Sequence, residues 1–312
     1  MTDCWSVPLH PWQIRGGSGG GDPRNQSDVY PSDGTLPLRE YRRVKRVTVL
    51  VDSRDRNYVS HPDPSRYVVH LPVPLNNVSN AVLVSAELPA TYYVFSTAMK
   101  NTTLKVAAFS AGAPVYVDVT IPDGNYTFST MANALNTALT AAFPAYSFTV
   151  QFDPATARLS IAAASTPPTA TPTVSVDCTA AAKPTGWGLG YYLGFERGKV
   201  TSGTGTVVAQ SVGNMNPEMY MLVDIEELNA VQQAAMYGEG GSMGRVFAKV
   251  PICHSTFQYS LYDKTLTCNE VQPPIAQLKK LSITIRFHDG TPVDFHGAEH
   301  SMTIEFTHTE TR

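Results

Sequence analysis

Two short stretches hold the residue types that could do chemistry. HGAEH, His296 to His300, has the order H-x-x-E-H, in which two histidines bind zinc in one class of metallopeptidase. Here that would be a zinc hydrolase through His296, Glu299 and His300. The chemistry needs a helix, since spacing i and i+4 brings both imidazoles to one face. The local sequence denies one: Gly297 lies inside the motif, a DGTPVDF turn precedes it, and the strand-like SMTIEF follows at once. A turn between strands is the better reading, and no metal or other cofactor is expected.

DSRDR, Asp52 to Arg56, could be read as paired carboxylates for acid–base work. Asp52 and Asp55 each have an arginine beside them, however. An ion-paired carboxylate has a lowered pKa and is a poor proton donor near neutrality. The stretch reads instead as a structural corner at a strand end, with Asp52, Arg54, Asp55 and Arg56 pairing with one another or with the neighbouring loop. GWGLGYYLGF, residues 186–195, is rich in glycine but lacks the G-K-S/T ending of a phosphate loop. Its aromatics are expected to pack. No G-x-S-x-G elbow occurs. The residues favour a structural or binding protein over an enzyme.

The elements that must position these stretches are mostly strands. The chain has 312 residues, 43% hydrophobic and 16% charged, with a net charge of −3. A sizeable core is affordable, and duplex DNA is a poor match for the charge. Twenty-three prolines punctuate the chain, which favours many short strands. Strands are expected at 47–53, 66–71, 80–88, 103–108, 115–121, 147–152, 157–163, 173–177, 205–211, 219–225, 245–251, 257–262, 281–287 and 301–307. Several alternate cleanly, as half-buried antiparallel strands do: Ile283, Ile285 and Phe287 fall on one face, Ser282, Thr284 and Arg286 on the other. One helix interrupts them, with Phe128, Met131, Ala132, Leu135, Leu139 and Phe143 near helical spacing, Thr127 or Ser129 as the cap and Pro144 at the end. A second short helix is expected at 225–235. The pattern points to a sandwich or jelly roll.

Residues 1–46 read as a Gly-rich extended arm ending in a basic bridge, and 47–312 as the folded domain with loop insertions. RGGSGGGDPRNQSD has little to bury and a high entropic cost of ordering, so the arm is expected to be ordered by neighbouring chains, with Trp5 and Trp12 as anchors. REYRRVKR, 39–46, is read as a strand edge whose cations discourage edge pairing, with an acidic neighbour or nucleic acid as the alternative contact. No apolar run has the length of a membrane span, and the first residues lack a signal-peptide pattern, so cytosolic synthesis is expected. Cys4, Cys178, Cys253 and Cys268 are expected as free thiols, a Cys253–Cys268 bridge being the alternative. The sequons at Asn25, Asn77, Asn101 and Asn125 are read as chance matches in turns. The loops at 96–103, 164–174 and 196–206 have the composition to reach neighbours.

The stretch from Val51 to Phe95 resembles the start of penton and minor capsid proteins of large eukaryotic DNA viruses, the chlorella-virus-like group among them. The matching residues are Asp52-Ser53-Arg54-Asp55-Arg56, Pro62, Pro64, Tyr67, Leu71-Pro72, Pro74, Asn77-Val78, Ser85-Ala86-Glu87 and Pro89. IPDGNYTFSTMANALNTAL resembles the family's G-x-Y-T helix block, LGYYLGF its L-G-F block, and FHDGTPVDFHGAEHSMTIEF its closing strand pair. Residues 1–46 carry none of these blocks. The resemblance implies a single jelly roll of two antiparallel sheets with the helix inserted. It implies a virion protein, best placed as a homopentameric penton at five-fold vertices, touching the major capsid protein and other minor capsid proteins but no specific nucleic acid. A minor capsid protein cementing capsomers from inside is the alternative within that class. A jelly-roll glycan-binding attachment module is the alternative outside it.

Overall fold

A computed structural model of the chain describes residues 43–310, apart from 167–170, 180–187, 204, 217, 229–233, 238–241, 253–258 and 264–268. Its strands are β1 (Arg43–Asp52), β2 (Arg66–Pro89), β3 (Thr103–Phe109), β4 (Val117–Thr120), β5 (Tyr146–Phe152), β6 (Leu159–Ser165), β7 (Thr173–Asp177) and β8 (Lys199–Thr201). They continue with β9 (Thr206–Val208), β10 (Tyr220–Ile225), β11 (Ala234–Tyr237), β12 (Ser242–Arg245), β13 (Ala248–Pro251), β14 (Tyr259–Asp263), β15 (Asn269–Arg286) and β16 (Ser301–Glu310). Helix α1 spans Phe128–Ala142 and a single turn, α2, spans Leu189–Tyr192.

The strands pair antiparallel throughout, in the all-β, jelly-roll class that the alternating pattern implies. The largest sheet has the order β1-β16-β2-β15-β10-β13, with β14 also on β2. First and last strands are therefore neighbours, in register from Arg43↔Glu310 to Asp52↔Ser301. The cause is legible along β16: Met302, Ile304, Phe306 and His308 are buried while the residues between them are half-exposed. A strand with one apolar face is fixed in register, because a slip of one residue would turn that face outward. Met302, Ile304 and Phe306 join Val51, Tyr67, Leu83, Leu281 and Phe295 in one core.

A second core lies between the sheets β4-β3-β7-β8 and β5-β6-β9 and helix α1. Met131, Leu135 and Leu139 project from α1 onto Leu104, Leu159, Ile161 and Phe195, and the three helix side chains are fully buried. Each contributes on the order of 2 kcal/mol by leaving water. Thr127 caps α1: its hydroxyl accepts the Thr130 N–H while the Thr130 hydroxyl accepts the Thr127 N–H. The helix stops at Phe143, ahead of Pro144.

Two expectations are corrected. The segments 66–71 and 80–88 belong to one 24-residue strand, β2. Pro72 and Pro74, which read as punctuation, fall where the ladder to β15 shifts between Leu278↔Leu75 and Lys280↔His70, so their missing N–H groups break no regular pair. Asn77 takes φ +51°, a conformation asparagine tolerates, and the strand continues through it. The second helix at 225–235 is replaced by a 3-10 turn at Glu226–Leu228 and by β11, which pairs with β12. The backbone pairs there in register from Ala234↔Arg245 to Tyr237↔Ser242. Trp5, Trp12, Asn25, Cys4, Cys253 and Cys268 lie outside the described residues. Cys178 is a buried free thiol whose pKa burial pushes up to about 11.

Candidate functional site

β1 ends at Asp52, whose carboxylate accepts the Arg54 N–H at 2.9 Å and starts a 3-10 turn over Ser53–Asp55. The same carboxylate holds the Arg54 guanidinium through Nε and Nη2, and this bond keeps Asp52 below the usual carboxylate range. Arg54 itself points outward, its side chain 71% exposed. Asp55 is exposed on the same turn. Arg56 goes the other way. It is buried, donating to Ser53 O at 2.7 Å, His61 O at 3.0 Å and Pro62 O at 3.2 Å. Of the four residues read as a corner, Asp52 and Arg54 pair with each other and Arg56 turns inward.

The partner of Arg56 comes from the far end of the chain. His296 and Gly297, both at positive φ, make a tight turn in which Asp294 accepts the His296 N–H at 2.8 Å and Phe295 O accepts the Ala298 N–H at 3.0 Å. This turn delivers Glu299 and His300 just ahead of β16. Glu299 Oε2 binds Arg56 Nη1 and accepts Ser53 Oγ at 2.5 Å, while Oε1 accepts the Tyr58 hydroxyl at 3.0 Å. The backbones clasp as well. Ser53 N–H donates to His300 O at 2.9 Å, and His300 N–H donates to Ser53 Oγ at 2.8 Å. The His300 ring packs against Tyr67 and Phe295, with Nε2 2.9 Å from Pro64 O. DSRDR and HGAEH thus form one corner, across 243 residues from Arg56 to Glu299.

The electrostatics make this corner a fastening rather than a reactive centre. Burial pushes the Glu299 carboxyl up, but hydrogen bonds from Arg56, Ser53 and Tyr58 together outweigh burial and hold it below its ordinary value. It stays ionised and its oxygens are occupied. Burial drives His300 down, so its imidazole is neutral at neutral pH. The Ser53 hydroxyl is fully buried and donates to Glu299, whereas the His300 ring faces Pro64 O. A nucleophile needs a base in reach and a path for substrate, and Ser53 is engaged otherwise. The zinc reading needed His296 and His300 on one helical face. They sit instead on a turn, His296 against the Tyr93 ring at 4.1 Å and His300 inside.

The Gly-rich stretch is also explained by packing. Gly194 has φ +89°, and a Cβ there would lie 2.2 Å from Ser211 O; one on Gly190 would lie 2.5 Å from Cys178 Sγ. Tyr192, Leu193 and Phe195 are buried in the second core.

A family model described as "Family of unknown function (DUF5901)" matches residues 35–182. No curated protein matches the chain. Two solved structures align with this chain at low similarity. The crystal structure of selenomethionine-labelled mavirus penton protein is 11% identical, with 86% of this chain and 100% of that chain covered and a TM-score of 0.48. The structure of the Sputnik virophage, by cryo-EM at 3.5 Å, is 11% identical over 84% of this chain and 97% of that one, with a TM-score of 0.43. No residue's role transfers at that identity. The family model's span contains the Ser53–Arg56 half of the corner and ends well before the Glu299 half.

Sequence reading missed two things. It paired the arginines of DSRDR locally and did not join Arg56 to Glu299, since spacing within a motif says nothing about a partner across the chain. It also missed Glu218, the described carboxyl that moves furthest up, to about 7, through burial first and then the charge of Asp289. The stretch MNPEMY around it carries no sequence signal of burial.

Proposed function

We propose that this chain is a structural capsid protein of a large eukaryotic DNA virus, and that it is the penton, a homopentamer at the five-fold vertices of the shell. It is read as non-enzymatic, made in the host cytosol and carried in the virion beside the major capsid protein. The observation that carries the reading is the corner itself. Two blocks that resemble penton and minor capsid proteins, 51–95 and 287–306, lie at opposite ends of the domain and meet in one fastening. Closing the first strand onto the last in this way is what a rigid shell subunit needs.

The mechanism is geometric. Identical subunits close a ring through heterologous contacts when the rotation between neighbours completes a circle. A net charge of −3 keeps self-repulsion in such a ring small. Native mass spectrometry of the purified full chain, with averaged electron micrographs, tests the proposal. Five copies of the 33.8 kDa chain and a five-fold ring are expected. A chain that stays monomeric, or closes as a dimer or trimer, at assembly concentrations overturns the vertex assignment.

A further inference from the structure

The strand order β1-β16-β2 places a groove inward of β1, against His308 of β16. Its cavity, about 600 Å³, is walled by Val47 and Val49 of β1 and by Leu71, Val73 and Leu75 of β2. The walls are not built to take another strand. β16 already pairs with β1 on the side that faces the groove, and Pro72 and Pro74 on the β2 wall have no N–H to offer a ladder. A side chain can enter between them, since a cavity of this size falls in the range that buries a small ligand. Leu50 and Val73 also line the groove and are 70% and 68% exposed, so its approach is apolar. His308 is 5% exposed, and among the described residues neither ring nitrogen has a hydrogen-bond partner. A neutral imidazole carries one donor and one acceptor, and buried polar atoms of native proteins are normally satisfied. The groove therefore suits a large apolar side chain that carries a single polar hydrogen.

We propose that the occupant is Trp12 from the arm of a second copy of this chain. An indole is large and apolar and has one N–H, which matches the acceptor nitrogen of a neutral His308. The arm's sequence has the pattern of a ligand on a tether. Its first 14 residues, MTDCWSVPLHPWQI, include two of the chain's three tryptophans, and no Asp, Glu, Lys or Arg falls between Asp3 and Arg15. The next 14, RGGSGGGDPRNQSD, contain no hydrophobic residue at all. Trp12 is favoured over Trp5 because Pro11 fixes the backbone beside it and holds His10 extended, which lowers the entropy lost on docking. Leu9 and Ile14 flank it and would cover Val73 and Leu50. Reach is no obstacle, since the 30 residues between Trp12 and Arg43 extend up to about 100 Å. The insertion rests on the capsid reading for its neighbour and deepens it by naming a contact between copies, yet it does not require five of them.

The test is photocrosslinking in the full chain, with benzoylphenylalanine in place of Val73 and, in a second protein, of Leu50, both exposed positions. Heavy-isotope and ordinary chains are mixed at assembly concentration, irradiated and read by peptide mass spectrometry. Heavy–light crosslinks from these positions to residues 9–14 are expected. Trp12→Ala should lower their yield at least about tenfold, as loss of a buried aromatic anchor does, while Trp5→Ala should leave it within about twofold. Crosslinks within one chain only, crosslinks from both probes to other segments, none at all, or a yield that survives Trp12→Ala overturns the proposal. Failure here with a five-copy mass intact rejects the groove alone. Groove crosslinks without a five-copy mass reject the vertex alone.

Discussion

Arg56→Ala is the sharpest perturbation of the corner. The side chain is 3% exposed and satisfies three carbonyls as well as Glu299. Removing one member of a buried ion pair costs about 3–5 kcal/mol, because the partner charge is left uncompensated. Glu299 is 27% exposed and keeps Ser53 and Tyr58, so water and those hydroxyls offset part of the loss. About 3 kcal/mol is therefore expected, near the lower end of that range. For a domain of this size the same loss lowers Tm by about 6–12 °C. Arg54→Ala is the internal control: that guanidinium is solvated, and its pairing with Asp52 should leave Tm unchanged. Chemical denaturation of both variants and of Arg56→Ala/Glu299→Ala gives the coupling, expected at about 2 kcal/mol. An Arg56→Ala variant within about 1 kcal/mol of wild type, or an Arg54→Ala variant equally damaged, refutes the reasoning.

The corner also sets a pH dependence. Glu299 is depressed in the fold, so its contribution is complete above the ordinary glutamate value near 4.5 and disappears as pH falls through the folded value; denaturation of Glu299→Gln should show a flatter acid limb. His300 is held neutral, so stability should begin to decline below about pH 6.5, where the unfolded chain takes up the proton first, and the tautomer is readable by NMR. Glu218 behaves oppositely. Its raised pKa, about 7, means that ionising it costs stability as pH rises above its ordinary value, so Glu218→Gln should gain about 2 kcal/mol at pH 8 and nothing at pH 4, by urea melts at both. Gly194→Ala should cost at least about 2 kcal/mol, since its left-handed backbone and the Ser211 carbonyl leave no place for a methyl group, and the soluble yield and Tm report it.

Where the pattern was local, the sequence was enough. The alternation of Met302, Ile304 and Phe306 located β16, and the spacing of Met131, Leu135 and Leu139 with Thr127 ahead located α1 and its cap. The glycine inside HGAEH was sufficient to reject a helix there. Where the structure depends on distant partners, the pattern was silent. β2 was divided at its prolines because nothing local shows that the β15 ladder shifts at the same place. Asn101 was read only as a turn residue. It is in fact buried, its amide donating to Val94 O at 2.7 Å and accepting Ser96 N–H at 2.8 Å, a role that excludes a glycan in the folded chain. Arg56 and Glu299 were each singled out, but for different imagined chemistries. Only the register of β1 on β16 makes them neighbours.

The vertex assignment meets its most direct test in an intact particle. A cryo-EM reconstruction of virions that carry this chain, refined without imposed symmetry at the vertices, would locate it by its side-chain density. Five copies around each five-fold axis, with β1 and β16 closed by the Arg56–Glu299 corner in every copy, are predicted. Density for the chain between capsomers away from the axis, or its absence from the shell, would contradict the account.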